Sequence, residues 1–361
     1  MKLIPSILIL LGLQSVAFAA DNPAVQWTDS LKVPEQNLPK LSSLPNRPGI
    51  VVGLRRIGET KGPSVGIYDL TDGNQSIWDL PAALFNTVPQ PDHLSENFIS
   101  LSYAQNAQQY LLARGGEIDL IQKSGSFSPL HLQMPGKLKP YQGMHDYALS
   151  SDGKFVAYSL YTRDQADKQP DGFGKLYMDL FYQRTEGSQP ISLVSGLDID
   201  NYIPAWSPDG TKLAYSTRDG GFGIVDLNGH KLSSVSSPIQ QIGSPQPIME
   251  IKWSPDGRKI GFLLKQKLYV SDESGVKPVN FGREDVQVND FAWSPQGDQL
   301  TFHSNFEAGA QCVQNLAHKY ETGGFPCLKM FFLYMANTDG TNLKRITNQA
   351  EYWPRDIFWT N

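Results

Sequence analysis

The chain has little cysteine, no surplus of basic charge and, past its first residues, no long apolar run. Its only two cysteines in 361 residues are Cys312 and Cys327. That is too few for a disulfide-built scaffold, and a Cys-x-x-Cys pair opening a helix, the usual redox arrangement, is missing. Lys and Arg number 31 against 36 Asp and Glu, for a formal charge of −5, with no basic run or basic-aromatic patch. Nucleic-acid binding is disfavoured on that ground. The six histidines show no H-E-x-x-H or other metal-ligand spacing. No glycine-rich phosphate loop or dinucleotide fingerprint occurs. Gly62-Pro63-Ser64-Val65-Gly66 fits the letters of a nucleophile elbow but lies between two expected strands, where an elbow needs a following helix.

The N-terminus is the apolar exception. Lys2, the run Leu3 to Leu13 and the small-x-small site Ala17-Phe18-Ala19 read as a signal peptide over 1–20, too short to span a bilayer. An exported chain, periplasmic or secreted and without a membrane anchor, is expected. In such a compartment Cys312 and Cys327 are expected to join each other, within an insertion at about 306–328. Residues 21–47 carry Pro23, Pro34, Pro39 and Pro45 and read as an extended arm outside the main fold.

A repeated phrase organises the rest. Trp206-Ser207-Pro208-Asp209-Gly210 returns as Trp253-Ser254-Pro255-Asp256-Gly257 and, with one change, as Trp293-Ser294-Pro295-Gln296-Gly297. Spacings of 47 and 40 residues fit one four-stranded unit used repeatedly, the pattern of a β-propeller. Ser-Pro-Asp-Gly suits a type I turn, with Pro presetting φ and Gly closing the turn. The alternating run after each copy, such as Lys212-Leu213-Ala214-Tyr215-Ser216, reads as the second strand of a blade. The repeated Trp should pack between neighbouring blades.

Leu149-Ser150-Ser151-Asp152-Gly153 is a weaker copy, and Tyr103-Ala104-Gln105-Asn106-Ala107 a fainter one. Asp356-Ile357-Phe358-Trp359 reads as an innermost strand without a partner after it, while Gly49 to Leu54 and Ser64 to Gly73 read as the second and third strands of a blade lacking its first. One blade shared between the termini would leave no open sheet edge at the seam. The expected fold is all-β, a six-bladed propeller over 48–361. Its inner strands should lie near 98–103, 144–149, 201–206, 248–253, 288–293 and 354–359.

The Trp-Ser-Pro-Asp-Gly phrase followed by Lys-Leu-Ala-Tyr-Ser resembles the WD40-like repeat of TolB-type propellers, most strongly over about 200–300. The resemblance implies a periplasmic six-bladed propeller that binds an envelope protein or peptide at one mouth of its tunnel. With only residues 21–47 between the signal segment and the first expected strand, the α/β domain that precedes the propeller in that family is not expected here.

Aligning the repeats on the Trp places Ser100, Asp146, Ile203, Glu250, Asp290 and Asp356 three residues before it. Inner strands line a propeller's tunnel, so Asp146, Glu250, Asp290 and Asp356 are expected to form an acidic ring there. His145, Asp200, Asn201 and Asn289 would enrich the same region. Like charges at one level call for water, a cation or a basic partner. Three readings stand side by side: a solvated lining, a Ca²⁺-like site and a docking point for a basic or peptidic partner. No cofactor beyond that Ca²⁺ is implied, and a monomer is expected. The alternative function is a tunnel-based, metal-dependent hydrolase or lyase. Asp164, Asp167 and Asp171, whose spacing is not that of a calcium loop, are expected on a solvated loop.

Overall fold

Each Trp-Ser-Pro-Asp-Gly phrase folds as a tight turn joining two strands. In the first, Gly210 N–H donates to Ser207 O at 2.9 Å and Ser207 N–H to Lys212 O at 2.9 Å. Ser207 Oγ donates to Asp209 Oδ1 at 2.6 Å and accepts the Lys212 N–H at 3.0 Å. Ser254 repeats both bonds, with Asp256 at 2.6 Å and Lys259 N–H at 2.9 Å. In the third copy Gln296 has no carboxylate to offer, and Asp298 supplies it instead, 2.8 Å from Ser294 Oγ. Gly210, Gly257 and Gly297 sit at φ of 69°, 70° and 71°, left-handed backbone that a Cβ would strain.

The computed structural model of the protein describes residues 40–41, 49–55, 64–72, 74–79, 99–114, 117–122, 124, 126–132, 144–168, 174–197, 203–239, 247–273, 275–284, 286–305, 330–347, 351–352 and 355–360. All of these belong to one unit, Val33–Asn361. The signal-peptide segment and the two cysteines lie outside the described residues, and no helix occurs among those described.

The first strands are Lys40–Leu41 (β1), Ile50–Arg55 (β2), Ser64–Asp69 (β3) and Gln75–Asp79 (β4). Blades of four consecutive strands follow. They are Ile99–Ala104, Gln109–Arg114, Glu117–Gln122 and Phe127–Pro129 (β5 to β8); Met144–Leu149, Phe155–Lys168, Gly174–Arg184 and Ile191–Leu197 (β9 to β12); and Pro204–Trp206, Lys212–Ser216, Phe222–Asp226 and Lys231–Val235 (β13 to β16). Next come Glu250–Trp253, Ile260–Leu264, Lys267–Asp272 and Gly275–Pro278 (β17 to β20), then Val288–Trp293, Gln299–Ser304, Met330–Asn337 and Lys344–Arg345 (β21 to β24). Glu351–Tyr352 (β25) pairs with β23 as an extra strand.

Five blades are therefore contiguous in the chain, not six. The remaining sheet is composite, in the order β1-β4-β3-β2-β26, where β26 is the last strand, Arg355–Thr360. β26 runs antiparallel to β2 with Trp359 opposite Val51, which is the expected seam between the two ends. Lys40 and Leu41, read from sequence as part of the arm, pair in parallel with Ile77 and Trp78 and cover the outer edge of that sheet.

The inner strands neighbour one another in a closed circuit: β5 lies by β9, β9 by β13, β13 by β17, β17 by β21, β21 by β26, and β26 by β5. The core follows from this arrangement, because an apolar cluster fills each gap between neighbouring sheets. Val65, Ile67 and Trp78 meet Leu101, Tyr110 and Leu112 in one gap, and Met178, Leu180 and Tyr182 meet Trp206, Leu213 and Tyr215 in another. The result is an all-β, propeller-like ring of sheets. Asp164 and Asp167, expected on a loop, lie instead in β10, which pairs with β11 out to Lys168 opposite Gly174. The sequence Thr162-Arg163-Asp164-Gln165-Ala166-Asp167-Lys168 shows no apolar–polar alternation that would mark it as a strand.

Candidate functional site

A cavity of about 600 Å³ runs along the inner strands. Its wall takes residues from β5, β9, β13, β17, β21 and β26, and includes Asp146, Glu250, Asp290, Asp356 and Asn289. The inner strands begin near these carboxylates and end at the turns, where Trp206, Pro208, Trp253 and Pro255 line the opposite part of the wall. His145, in β9, pairs through its backbone with Ser159 of β10, and its side chain lies outside the described residues, as do Asp200 and Asn201. Ser64 opens strand β3 and no helix follows it, so the elbow motif lacks its structural setting.

Backbone irregularities aim two of the acids. Asp146 and Asp356 take φ of 44° and 53°, in the left-handed region that Asp tolerates better than most residues. Both sit where the ladder skips a residue, between Tyr158 and Ser159 on the partner strand for Asp146 and between Val52 and Leu54 for Asp356. Such bulges re-aim a side chain from its sheet.

The four carboxylates are not an uncompensated ring. Lys252, two residues after Glu250 and hence on the same strand face, stands among them. Its Nζ lies 3.0 Å from Asp290 Oδ1 and 3.5 Å from Glu250 Oε1, and it donates to the carbonyls of Phe291 at 2.7 Å and Ile357 at 3.2 Å. It also stands over the rings of Phe291 and Phe358, 5.4 and 5.0 Å from their centres. Burial works against its charge, but Asp290 and then Glu250 outweigh that and raise its pKa. Asp290 is 2% exposed. Its Oδ1 also accepts the Phe291 N–H at 2.6 Å, and its Oδ2 accepts the Ile357 N–H of the composite sheet at 2.7 Å. Asp356 Oδ2 accepts the Leu101 N–H of β5 at 2.7 Å. These two acids thus tie β21 to β26 and β26 to β5.

Glu250 behaves differently. Burial, helped by Asp290 and Asp356 and opposed by Lys252, pushes its carboxyl up to about 8. Lys252 could have been found from sequence, since Glu250-Ile251-Lys252-Trp253 puts an acid and a base at strand spacing; only the comparison with the other copies, which lack the Lys, hid it. His303 was also missed. It stands opposite Asp290 in the β21–β22 ladder, is fully buried against the Tyr68 ring, and neither ring nitrogen has a hydrogen-bond partner. Among the described residues no three His, Cys, Asp or Glu side chains gather closely enough to hold a metal ion.

No protein-family description and no curated protein matches the chain in sequence. Solved structures do resemble it. A TolB-type protein of Agrobacterium tumefaciens is 15% identical with a TM-score of 0.50, over 88% of this chain and all (100%) of that one. An oligogalacturonate lyase in complex with manganese is 12% identical over 79% of this chain and 70% of that one, with a TM-score of 0.44. A 6-phosphogluconolactonase-type protein of Bacteroides uniformis is 16% identical over 86% and 98%, with a TM-score of 0.46. At such identities the property shared with the TolB-type structure is the fold.

Proposed function

We propose that this chain is an exported propeller of the TolB type, six-bladed when the composite sheet is counted as a blade, which binds a basic segment of an envelope protein or peptide at the carboxylate end of its cavity. The observation that carries the reading is the acidity of that wall: the carboxyl groups of Asp146, Glu250, Asp290 and Asp356 share it with a single ammonium, Lys252, and Glu250 adds its charge as pH rises through about 8. An electronegative concavity draws cations in and orients them. Asp290 and Asp356 hold backbone N–H groups of the next sheet; Asp146 and Glu250 line the same wall from β9 and β17, and the recognition role is assigned to them. The periplasm or the exterior is the proposed place of action, from the N-terminal segment.

The probe is a ten-residue peptide of alternating Lys and Thr, followed by fluorescence anisotropy. Replacing Asp146 by Asn, which also accepts left-handed backbone, together with Glu250→Gln should weaken its binding at least tenfold and flatten its salt dependence. Equal affinity in parent and double variant would remove the acidic mouth as the binding site.

A further inference from the structure

Among the described residues the second blade carries the longest hairpin. Second strands elsewhere have five or six residues, whereas β10 has 14. β9 accompanies β10 only from Leu149 opposite Val156 to Met144 opposite Leu160. From Tyr161 onward β10 pairs with β11 alone among the described residues, Tyr161 opposite Met178 and Asp164 opposite Lys175. The four pairs from Tyr161 to Asp164, at a strand's rise, carry the hairpin about 13 Å past β9 before the register shifts between Asp164 and Lys168. It passes the first residue of an inner strand, and inner strands begin at the carboxylate end. The hairpin therefore stands at the acidic mouth.

Sheet order decides which way its edge looks. In the order β12-β11-β10-β9, β9 separates β10 from the cavity. Beyond Met144 no described residue pairs with that edge of β10, which looks over the mouth and presents the N–H and C=O groups of a strand edge. We propose that this edge, Tyr161–Lys168, takes an extended basic peptide as an added strand, whose cationic side chains reach the carboxylates below. The proposal rests on the reading of the mouth as a basic-peptide site. Charge argues for the occupant: the wall beneath holds Asp146, Asp290 and Asp356 to one ammonium, with Glu250 a fourth carboxyl that ionises as pH rises through about 8, while Arg163, Asp164, Asp167 and Lys168 of the strand carry no net charge. A strand sends alternate side chains to one face, so main-chain bonds to the hairpin and side-chain contacts to the mouth are compatible. The chain already uses such addition once, where Lys40–Leu41 extends the composite sheet at β4.

The test compares two probes and two proteins. The alternating Lys-Thr peptide is set against a depsipeptide with the same side chains, whose ester links carry no N–H. The parent protein is set against a variant in which Asn-Gly replaces residues 162–177, giving a short two-residue hairpin. Ester replacement and hairpin shortening should each weaken binding about tenfold, the scale of one or two main-chain bonds, and should not add, since both remove the same contacts. Equal binding of both probes by both proteins overturns strand addition and leaves the acidic mouth standing. An ester effect that persists in the shortened variant places the added strand elsewhere and overturns the assignment to β10. Failure of the peptide to bind the parent, or binding indifferent to Asp146→Asn with Glu250→Gln, removes the mouth reading and this inference with it. Should the shortened variant not fold, equal affinity of amide and ester probes for the parent is itself enough to overturn the proposal.

Discussion

At the scale of the residue, two titratable groups, one buried and one half-buried, give the protein opposed responses to pH. Burial, reinforced by Lys252, holds the His303 imidazole at about 3, below its ordinary 6.5. The unfolded chain then binds the extra proton between those values, so stability is complete above pH 6.5 and is lost as pH falls toward 3. Glu250 is raised from 4.5 to about 8, so its contribution is complete below pH 4.5 and is lost as pH rises through 8. Urea unfolding across a pH series should separate them: His303→Phe flattens the acid limb, and Glu250→Gln flattens the alkaline one. His303→Phe should also raise stability by about 1–3 kcal/mol, because it deletes polar atoms that are buried without partners. An acid limb unchanged in that variant would mean that other groups set it. Sequence showed the four acids because their place in the repeat is regular. It did not show His303, whose burial depends on packing against Tyr68, a residue of a distant strand.

At the scale of the element, sheets are joined by polar bonds that repeat around the ring. The indole N–H of Trp206 reaches Ala148 O at 3.0 Å, that of Trp253 reaches Ala205 O at 3.1 Å, and that of Trp293 reaches Lys252 O at 3.1 Å. Each therefore donates to the preceding blade, one residue before the equivalent position. Trp359 departs from the pattern and donates to Thr301 Oγ1 at 2.9 Å. Carboxylates reach the other way, from Asp290 to Ile357 and from Asp356 to Leu101. Asp290→Asn should accordingly destabilise by about 3 kcal/mol, since it leaves the Lys252 ammonium short of its nearest counter-charge in a largely dry setting. Urea midpoints decide it; a loss below about 1 kcal/mol would make the pair dispensable. Trp packing and turn chemistry were legible because both are local to a five-residue phrase. The bonds between blades were not, for they join residues related only by the closed ring. Trp253 and Trp359 also proved half-buried along the cavity, whereas Trp206 and Trp293 are buried.

At the scale of the whole molecule, the ring depends on its seam. β26 supplies the inner strand that β2 to β4 lack, and Ile357 is fully buried beside Val51 and Tyr68. Removing residues 355–361 should open an inner edge at β2, lower the midpoint of thermal unfolding and promote aggregation. A truncated protein that melts and stays monomeric like the parent would show that the seam is not structural. This closure was readable from sequence, because an inner strand at one end and its missing companions at the other are complementary patterns. The long hairpin was not, since residues 162–168 show no apolar–polar alternation, and polarity alone resembles a loop.

The seam also sets a timetable. A ribosome makes β2 early and β26 last, so the pair that completes the composite sheet is among the most distant in the chain. Contacts of such separation form late and carry a loop-closure penalty before they return anything. Until then each newly made blade can stack on its predecessor, but β2 waits with one side unmet through nearly the whole of synthesis. The vulnerable species for this protein is therefore an unfinished ring, complete in every contiguous blade and still open at its first.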